Sequence, residues 1–307
     1  MAPNILSTAE IAQNIRRRVF VHSMKQNGGY LSQACSAAEI LATLYNELLH
    51  LGAATLPMTP HPFAGVPGPH NPDAFTGAGY HGKATPDYDR FFVSPAHYAL
   101  VIYSALIEMG RLGEAGLAQF NQDGSSVEMI GAEHSPGMEV TTGSLAQGLS
   151  MASGVAWARK QRHELGKVWV FMSDGEFQEG QTWEALAAIA HHRIDNLRII
   201  VDVNAQQCDG AMSSVLDLGD LAARVAAFGI TTRAINGHDI AAIREAAASA
   251  EPDRALMILC HTSPYQGMPY LKRRFPRLHY VRFKSTEERL ETQTELAAEL
   301  SVDMTGL

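Results

Sequence analysis

Residues 168–203 place the tightest limits on how this chain can fold. Two short apolar runs, 168–172 and 197–203, are continuous, as in parallel strands that are covered on both faces. The stretch between them, 181–192, has the length and composition of a helix. Strand, helix and strand in this order form a right-handed βαβ unit. The sequence therefore predicts an α/β fold, with an open, mainly parallel sheet and helices on both faces.

The rest of the chain extends this alternation. Two helices are expected within residues 8–50, separated at the Gly pair of "KQNGGYLSQACS", and Ser36 with Glu39 has the spacing of a capping box for the second helix. Residues 52–90 are rich in Pro, Gly and His, and a loop of this length is usually functional or mobile. Further helices are predicted at 96–120, 218–228 and 239–250, and a further strand at 255–260.

Composition and charge exclude several classes of protein. With 46% hydrophobic and 18% charged residues, the 307-residue chain is globular. A formal net charge of −8 and a basic cluster confined to residues 272–277 argue against a nucleic-acid partner. Because no apolar run approaches the ~18 residues of a membrane span, we expect no membrane partner. Cys35, Cys208 and Cys260 form no CxxC pair, so we expect a protein of the reducing cytoplasm.

Polar residues follow the two predicted central strands at the point where each strand ends. Asp174 follows the first strand, and Asn204 follows the second, 30 positions later. The carboxyl ends of neighbouring parallel strands lie side by side, and ligands of open α/β sheets bind beyond them. A carboxylate and an amide carbonyl make an oxygen-only site that suits Mg²⁺ or Ca²⁺. Gly175 and the amide dipoles of the next helix suit a diphosphate that is held through this cation.

The residues around these positions resemble the thiamine-diphosphate signature and, more narrowly, the transketolase family. "SDGEFQEGQTWEALAAIAHHRIDNLRIIVDVN" matches the family pattern D-G-E-x-x-E-G, W-E-A, N-L and D-x-N. "DRFFVSPAHYALVIYSAL" resembles the family's S-x-G-H helix, and "PGMEVTTGSLAQGLSMASGVAWARK" its G-[SP]-L-G-Q-G segment. The resemblance covers residues 8–265. It implies the thiamine-diphosphate-binding fold, with a diphosphate-binding domain at 1–285 and a C-terminal helical tail at 286–307.

The resemblance implies roles by position. The cation, Mg²⁺ or Ca²⁺, would be held by Asp174, Asn204 and the backbone carbonyl of Gln206. The thiamine diphosphate would be bound by His97, Gly143, Ser144, Leu145, Asp174, Gly175, Glu176 and Asn204. The catalytic residues would be His97, beside the reacting centre, and Glu179, which matches a glutamate at the subunit interface next to the acid that activates the cofactor. For Glu176, simple exposure at the surface is the alternative.

The resemblance also implies a partner. The chemistry of the family needs a glutamate from a pyrimidine-binding domain, for which a chain that stops at Leu307 leaves no room. We therefore expect the N-terminal subunit of a split transketolase, which is active only together with a C-terminal subunit, in an α2β2 tetramer. The expected reaction moves a two-carbon ketol unit from a ketose, phosphorylated or otherwise anionic, to an aldose.

Three departures from the family pattern concern the substrate end. Gln26 stands where a substrate-contacting histidine is expected, and the G-H-P before "PGMEV" is absent, with His134 nearby. Ala146 replaces a glycine, which is a modest change. The segment "CHTSPYQGMPYLKRRFPRLHYVRF" also diverges, and an anionic tail of the substrate is expected to bind Arg273, Arg274 or Arg277. The sequence leaves open the roles of His61, His70, His81, His134, His261 and His279.

Two other functions are compatible with these residues. The alpha-type subunit of a 2-oxo-acid dehydrogenase also carries a GDG…N signature and needs a partner, but "EGQTWEAL" and "TTGSLAQG" argue against it. A degenerate subunit would bind the cofactor only structurally or not at all. The loss of two expected histidines favours that function, whereas the intact Asp174, Gly175 and Asn204 disfavour it. A synthase of the 1-deoxyxylulose-phosphate type would be a single, longer chain.

Overall fold

A computed structural model describes residues 6–66, 68–71 and 74–304, and it contains the predicted sheet. Its five parallel strands are β1 (Arg90–Val93), β2 (Val168–Ser173), β3 (Leu197–Val203), β4 (Thr231–Asn236) and β5 (Leu256–His261). They lie side by side in the order β1-β2-β3-β5-β4. Ser173 of β2 pairs with Asp202 of β3. The carboxyl ends of the two strands that were predicted to carry the site therefore lie together.

Helices cover both faces of this sheet. They are α1 (Thr8–Lys25), α2 (Leu31–Thr43), α3 (Ala99–Glu108), α4 (Gln147–Gln161), α5 (Gly180–His191), α6 (Leu221–Ala227), α7 (Ile240–Ala248) and α8 (Thr286–Leu300). Shorter helical turns lie at Leu44–Leu48, Gly77–His81, Ala96–Tyr98, Glu114–Leu117, Asp174–Gln178, Met212–Val215 and Pro269–Arg274. Within the described ranges, none of the helices is both long enough and apolar enough to pass through a membrane.

The central strands bury apolar side chains on both faces, as their continuous apolar runs predict. In β2, Trp169 and Phe171 belong to the core that α1, α2 and α3 share. Val170 and Met172 of the same strand belong to the core of α4 and α5. Because successive side chains of a strand point to opposite faces, one strand supplies two cores. The α/β layers predicted from the sequence are confirmed.

The predicted C-terminal tail contains α8, which packs on the first helix of the chain. Leu296 and Leu300 are buried in the same core as the apolar face of α1. Arg17 of α1 also donates a hydrogen bond of 2.9 Å to the Leu300 carbonyl, across 283 positions. The tail and the N-terminal helices thus stabilise each other.

The capping box expected at Ser36 and Glu39 is wrong. α2 begins at Leu31, so both residues lie inside the helix. Each side chain makes a tertiary contact instead of capping the helix. The Ser36 hydroxyl donates to Asp202, and the Glu39 carboxylate pairs with Arg16. Contacts with distant elements therefore explain these two polar residues.

The single helix expected at 96–120 is interrupted. α3 ends at Glu108, and a separate turn of helix follows at Glu114–Leu117. Gly110 lies between them with a φ of 63°, a left-handed conformation that commonly ends a helix.

The long loop at 52–90 is held to the body of the protein by Arg111. Its guanidinium donates hydrogen bonds of 2.9 Å to the carbonyl oxygens of Gly52 and Tyr80. The Tyr80 hydroxyl in turn donates to the Pro57 carbonyl at 3.0 Å. These contacts fix the start of the loop and its turn at Tyr80 to Arg111, just after α3.

Two glycines of α4 should respond oppositely to replacement by alanine. A Cβ on Gly148 would lie 2.8 Å from the Cα of Ser94, whereas a Cβ on Gly154 meets nothing within 4 Å. Gly148→Ala should therefore lower the free energy of unfolding by about 1–3 kcal/mol through overpacking. Gly154→Ala should leave it unchanged or raise it by up to about 1 kcal/mol. Urea denaturation measures both, and equal effects would contradict the close contact between α4 and β1.

Candidate functional site

Asp174 and Asn204 lie at the adjoining tips of β2 and β3. Asp174 is 3% exposed, and its Oδ2 accepts the Ala205 N–H at 2.7 Å. Ala205 has a φ of 58°, a left-handed conformation that only a constrained loop imposes on an alanine. The second carboxylate oxygen, Oδ1, is buried without a hydrogen-bond donor in the described part of the chain.

The loop after β3 supplies another oxygen of this kind. Asn204 Oδ1 accepts the Gln206 N–H at 2.9 Å, which folds the loop back on itself. The Gln206 side-chain Oε1 is also buried without a donor among the described residues. A buried acceptor that lacks a donor costs about 1–3 kcal/mol, whereas oxygens are the ligands of Mg²⁺ and Ca²⁺. These residues fit a divalent cation, and the Gln206 side chain is a candidate ligand besides the predicted backbone carbonyl.

Asp202 is a buried residue of this site that the sequence alone does not assign. Its carboxylate accepts hydrogen bonds from the hydroxyls of Ser36, Tyr98 and Thr262 and from Nδ2 of Asn204. Because Asp202 holds Nδ2, the amide oxygen of Asn204 is directed to the loop at Gln206. The D-x-N pattern includes Asp202 together with Asn204, but only the packing shows that Asp202 orients the asparagine side chain.

Asp174 and Asp202 are both removed from water, and this raises the pKa of each carboxyl. Burial, followed by the charge of Asp202, raises the pKa of Asp174 to about 8. Burial also raises the pKa of Asp202, although its hydroxyl donors oppose the shift. A nearby positive charge favours the ionised form of a carboxyl. The electrostatics of the strand tips therefore favour a cationic ligand.

Glu176 is fully buried, so simple exposure at the surface is excluded. It accepts hydrogen bonds from the Ser94 hydroxyl and, at 2.9 Å each, from the N–H groups of Ala146 and Ser173. Glu176 thus ties the ends of β1 and β2 to the turn before α4. Ala146, which stands in that turn where the family pattern has glycine, has a φ of 67°. This left-handed conformation costs an alanine about 1–2 kcal/mol, so the change is larger than the modest one expected from the sequence.

A cleft of about 510 Å³ opens at these strand ends. The predicted site residues in its wall are His97, Gly143, Leu145, Gly175, Glu179, Asn204 and Gln206. Asp174 and Glu176 are buried, Ser144 is exposed, and none of these three is part of the wall. The structure thus brings most of the residues implied by the resemblance to one cavity.

Two glycines leave room in the wall of the cleft. A Cβ on Gly175 would meet Gln207 Cβ at 3.7 Å, and a Cβ on Gly143 would meet Ile130 Cγ2 at 3.8 Å. Both are ordinary contacts, so packing within the chain does not require glycine at either position. A ligand that approaches the backbone closely does require it.

His97 lies among aromatic rings in the cleft. The centre of its ring is 4.9 Å from those of Tyr98 and His279 and 5.6 Å from that of Tyr30. Burial, followed by the charge of His279, lowers the pKa of His97 to about 3. The imidazole is therefore neutral at physiological pH. It can donate a hydrogen bond to a hydroxyl, or accept one from it, without adding a charge to the cleft.

Gln26 does not stand in the cleft, so it does not replace a substrate-contacting histidine there. It is exposed at the end of α1 and lines a separate pocket with Arg17, His22 and Lys25. Tyr30 occupies the wall of the cleft instead. The turn at Gly28–Gly29 separates Gln26 from Tyr30 and accounts for the difference.

The arginines of the basic segment also lie outside the cleft. Arg273 pairs with Glu291 at 3.0 Å, and Arg274 pairs with Glu288 at 2.7 Å. With Arg277 they line a separate pocket of about 290 Å³. The acidic side of α8 holds the first two guanidinium groups there, outside the cleft, so the binding of a substrate anion by these arginines stays a prediction.

The remaining histidines have different surroundings. His279 lines the cleft. His81 is buried with Nε2 2.9 Å from the Tyr45 hydroxyl, and the buried His134 ring lies 4.4 Å from Phe63. The exposed ones are His61, His70 and His261. Within the described ranges, no three His, Cys, Asp or Glu side chains form a group that could hold a metal ion.

Comparison with known proteins connects this cleft to one family. The model described as "Transketolase, thiamine diphosphate binding domain" matches residues 80–275. A putative uncharacterized transketolase family protein of Sinorhizobium fredii is 35% identical over 286 residues, and the match covers 92% of each chain. One of the subunits of an apulose-4-phosphate transketolase of Actinobacillus succinogenes is 28% identical, over 94% of this chain and 97% of the relative.

Other relatives are longer than this chain. The match to mammalian transketolase-like proteins covers only 39–40% of their length. Among solved structures, a transketolase from Campylobacter jejuni superposes with a TM-score of 0.73 at 23% identity. The superposition covers 96% of this chain and 43% of that one, and it supports the fold.

Asp174 should make the stability of the metal-free chain depend on pH. Its pKa is about 8 in the folded protein against an ordinary 3.8, so the folded state binds the proton more tightly. The stabilisation is present below the ordinary pKa and is lost as the pH rises through about 8. Asp174→Asn should flatten the decline in the free energy of unfolding between pH 6 and 8, whereas the exposed Asp217→Asn should not. Parallel curves for wild type and Asp174→Asn in urea denaturation would contradict the raised pKa.

Proposed function

The chain belongs to the transketolase family, and on that premise we propose that it is the diphosphate-binding subunit of a two-chain transketolase. The assembled enzyme transfers a two-carbon ketol unit from a ketose to an aldose. The observation that carries the proposal is the set of oxygens at the strand tips, where Asp174 Oδ1 and Gln206 Oε1 are buried without a donor from any described residue. A divalent cation that binds a diphosphate satisfies both.

Each part of the cleft has a task in this function. Asp174, Asn204 and Gln206 hold the cation, and Asp202 keeps the asparagine in the required orientation. Gly175 and Gly143 let the cofactor approach the backbone. Thiamine diphosphate, when bound, supplies the electron sink that carbon–carbon cleavage of a ketose requires. His97 is neutral, and it hydrogen-bonds a hydroxyl of the substrate or the diphosphate.

Asp174 would have to lose a proton in order to hold a cation. Burial keeps it largely protonated near neutral pH, since its pKa is about 8. A carboxyl is ionised when it ligates a metal, so the affinity of Asp174 for a cation would rise with pH. The backbone N–H of Ala205, which donates to Oδ2, would stabilise the ionised carboxylate.

A partner subunit completes the site. Glu179 lies exposed at the wall of the cleft, where it is available to an acid of another chain. Three apolar side chains of the same wall are 40–51% exposed: Ile130, Val215 and Leu216. An apolar surface beside a site is commonly covered by another protein. The A. succinogenes relative is named as one subunit of its enzyme, and this chain matches 97% of it, which supports a separate second chain. We propose an α2β2 assembly in the cytoplasm.

The substrate is a sugar whose charged group is bound by the partner subunit. The A. succinogenes relative is named for apulose 4-phosphate, which supports a phosphorylated ketose. Among the described residues that line the cleft, none is Lys or Arg. This chain therefore contacts the uncharged part of the sugar, and the cations that pair with a phosphate come from the second chain.

Removal of the cation ligand should abolish cofactor binding. In calorimetry of the assembled enzyme with Mg²⁺, Asp174→Ala should weaken thiamine diphosphate binding by at least about 100-fold, because the buried site loses the charged ligand that the described residues offer. Asp217→Ala, a change of an exposed aspartate, is the control and should bind normally. Equal affinity of Asp174→Ala and wild type would remove the cation site from the proposal.

The two-chain requirement is tested by reconstitution. Each purified chain alone should transfer no ketol unit from a ketose phosphate to an aldose, whereas the mixture should. Turnover should appear only when thiamine diphosphate and Mg²⁺ are present, and product formation by chromatography is the measurement. Full activity of this chain by itself would contradict the split site, and cofactor binding without turnover by the assembled pair would favour a degenerate subunit.

A further inference from the structure

The wall of the cleft near Tyr30 is a continuous aromatic surface. The Tyr30 ring lies 5.6 Å from His97, 5.6 Å from His279 and 4.8 Å from Tyr280, measured between ring centres. The contacts with His279 and Tyr280 are edge-to-face, at 86° and 90°. Tyr30 is thus the ring that touches all the others of this group.

The rings of this surface are uncharged, and the one guanidinium that the described residues place against them is that of Arg282, 5.2 Å from the centre of the Tyr280 ring. Burial lowers the pKa of both His97 and His279, so both imidazoles are neutral at physiological pH. Burial also raises the pKa of the Tyr30 hydroxyl, which stays protonated. The rings themselves cannot balance a phosphate. They suit the C–H face of a carbon chain and the hydroxyl groups beside it.

Tyr30 is held in place by contacts with a distant segment of the chain. Just before it, Gly28 and Gly29 pair with Arg282 and Val281 as two short antiparallel strands. Gly28 has a φ of 147°, and a Cβ there would lie 2.5 Å from the Val281 carbonyl oxygen.

The residues just after Tyr30 bind the same segment. The Ser32 hydroxyl donates to the Leu278 carbonyl at 2.7 Å, and Gln33 Nε2 donates to the His279 carbonyl at 3.1 Å. Tyr30 therefore lies in a turn that is held on both sides by contacts with residues 278–282. A binding residue that is selective needs such rigid support.

We propose that Tyr30 is a specificity-determining residue, whose ring packs against the uncharged carbon chain of the sugar substrate. The inference rests on the proposed function, because it takes the cleft to hold a sugar. The substrate class is a polyhydroxylated chain of at least three carbons, since a two-carbon unit is too short to cover the ring.

The first test uses the assembled two-chain enzyme with hydroxypyruvate as donor. Tyr30→Ala should lower kcat/KM for D-erythrose about tenfold through KM. For glycolaldehyde, which is too short to reach the ring, the change should stay within about threefold. Tyr30→Phe keeps the ring and should retain most of the activity with D-erythrose. Tyr270→Ala, which removes a ring from the arginine pocket outside the cleft, is the control.

The second test does not depend on turnover. Saturation-transfer NMR of D-erythrose with this protein should show transfer from aromatic protons to the sugar C–H protons. The transfer should persist in Tyr30→Phe and weaken strongly in Tyr30→Ala, where only the His97, Tyr98 and His279 rings remain in the wall, while circular dichroism confirms that both variants are folded. Calorimetry should give thiamine diphosphate affinities for the two variants within about twofold of wild type.

The outcomes separate the two proposals. Equal losses for glycolaldehyde and D-erythrose, or unchanged saturation transfer in Tyr30→Ala, would overturn the role of Tyr30. A tenfold loss of thiamine diphosphate affinity in Tyr30→Ala would overturn it too, because the residue would then belong to the cofactor site. If the wild-type two-chain enzyme does not bind thiamine diphosphate, the proposed function is overturned. The NMR experiment still shows whether Tyr30 contacts the sugar.

Discussion

The burial of two carboxylates at neighbouring strand tips governs the arrangement of residues around the cleft. Asp202 is satisfied by four donors from α2, the start of α3, the end of β3 and the loop after β5. Asp174 keeps one oxygen to which none of the described residues donates. Removing a charge from water is costly unless a partner of opposite sign is present. The difference between the two acids makes Asp202 an internal anchor and leaves Asp174 for a ligand.

Glu176 extends the same principle to the far side of the cleft. It is fully buried, and it draws its donors from the end of β1, the end of β2 and the turn before α4. The position of Gly143 and Leu145 in the wall therefore depends on a carboxylate that does not itself line the cavity. Three acidic residues that look alike in the sequence thus have different surroundings. Asp174 keeps an oxygen available for a ligand, Glu176 braces the wall, and Glu179 is exposed.

The central part of this arrangement could be predicted from the sequence because it depends on local patterns. Apolar runs predict β2 and β3, and the helix between them makes the two strands parallel neighbours. Asp174 and Asn204 follow the carboxyl ends of these strands, so their side chains are expected to lie close together. The roles of Ser36, Asp202 and Glu176 could not be predicted in the same way, because each depends on which distant element packs against it. The same holds for Gln26 and Arg273: a family pattern aligns residues along the chain, but the turn after α1 and the acids of α8 decide where the side chains lie.

The contacts that hold the turn at Tyr30 affect the order in which the protein folds during synthesis. The hydrogen bonds from Ser32 and Gln33 each span 246 positions, to Leu278 and His279. During synthesis on the ribosome, the sheet and the tips of β2 and β3 can assemble while this last stretch is still inside the exit tunnel. The aromatic side of the cavity can close only after residues 278–279 have left the tunnel, so it forms later than the strand tips that are proposed to hold the cation.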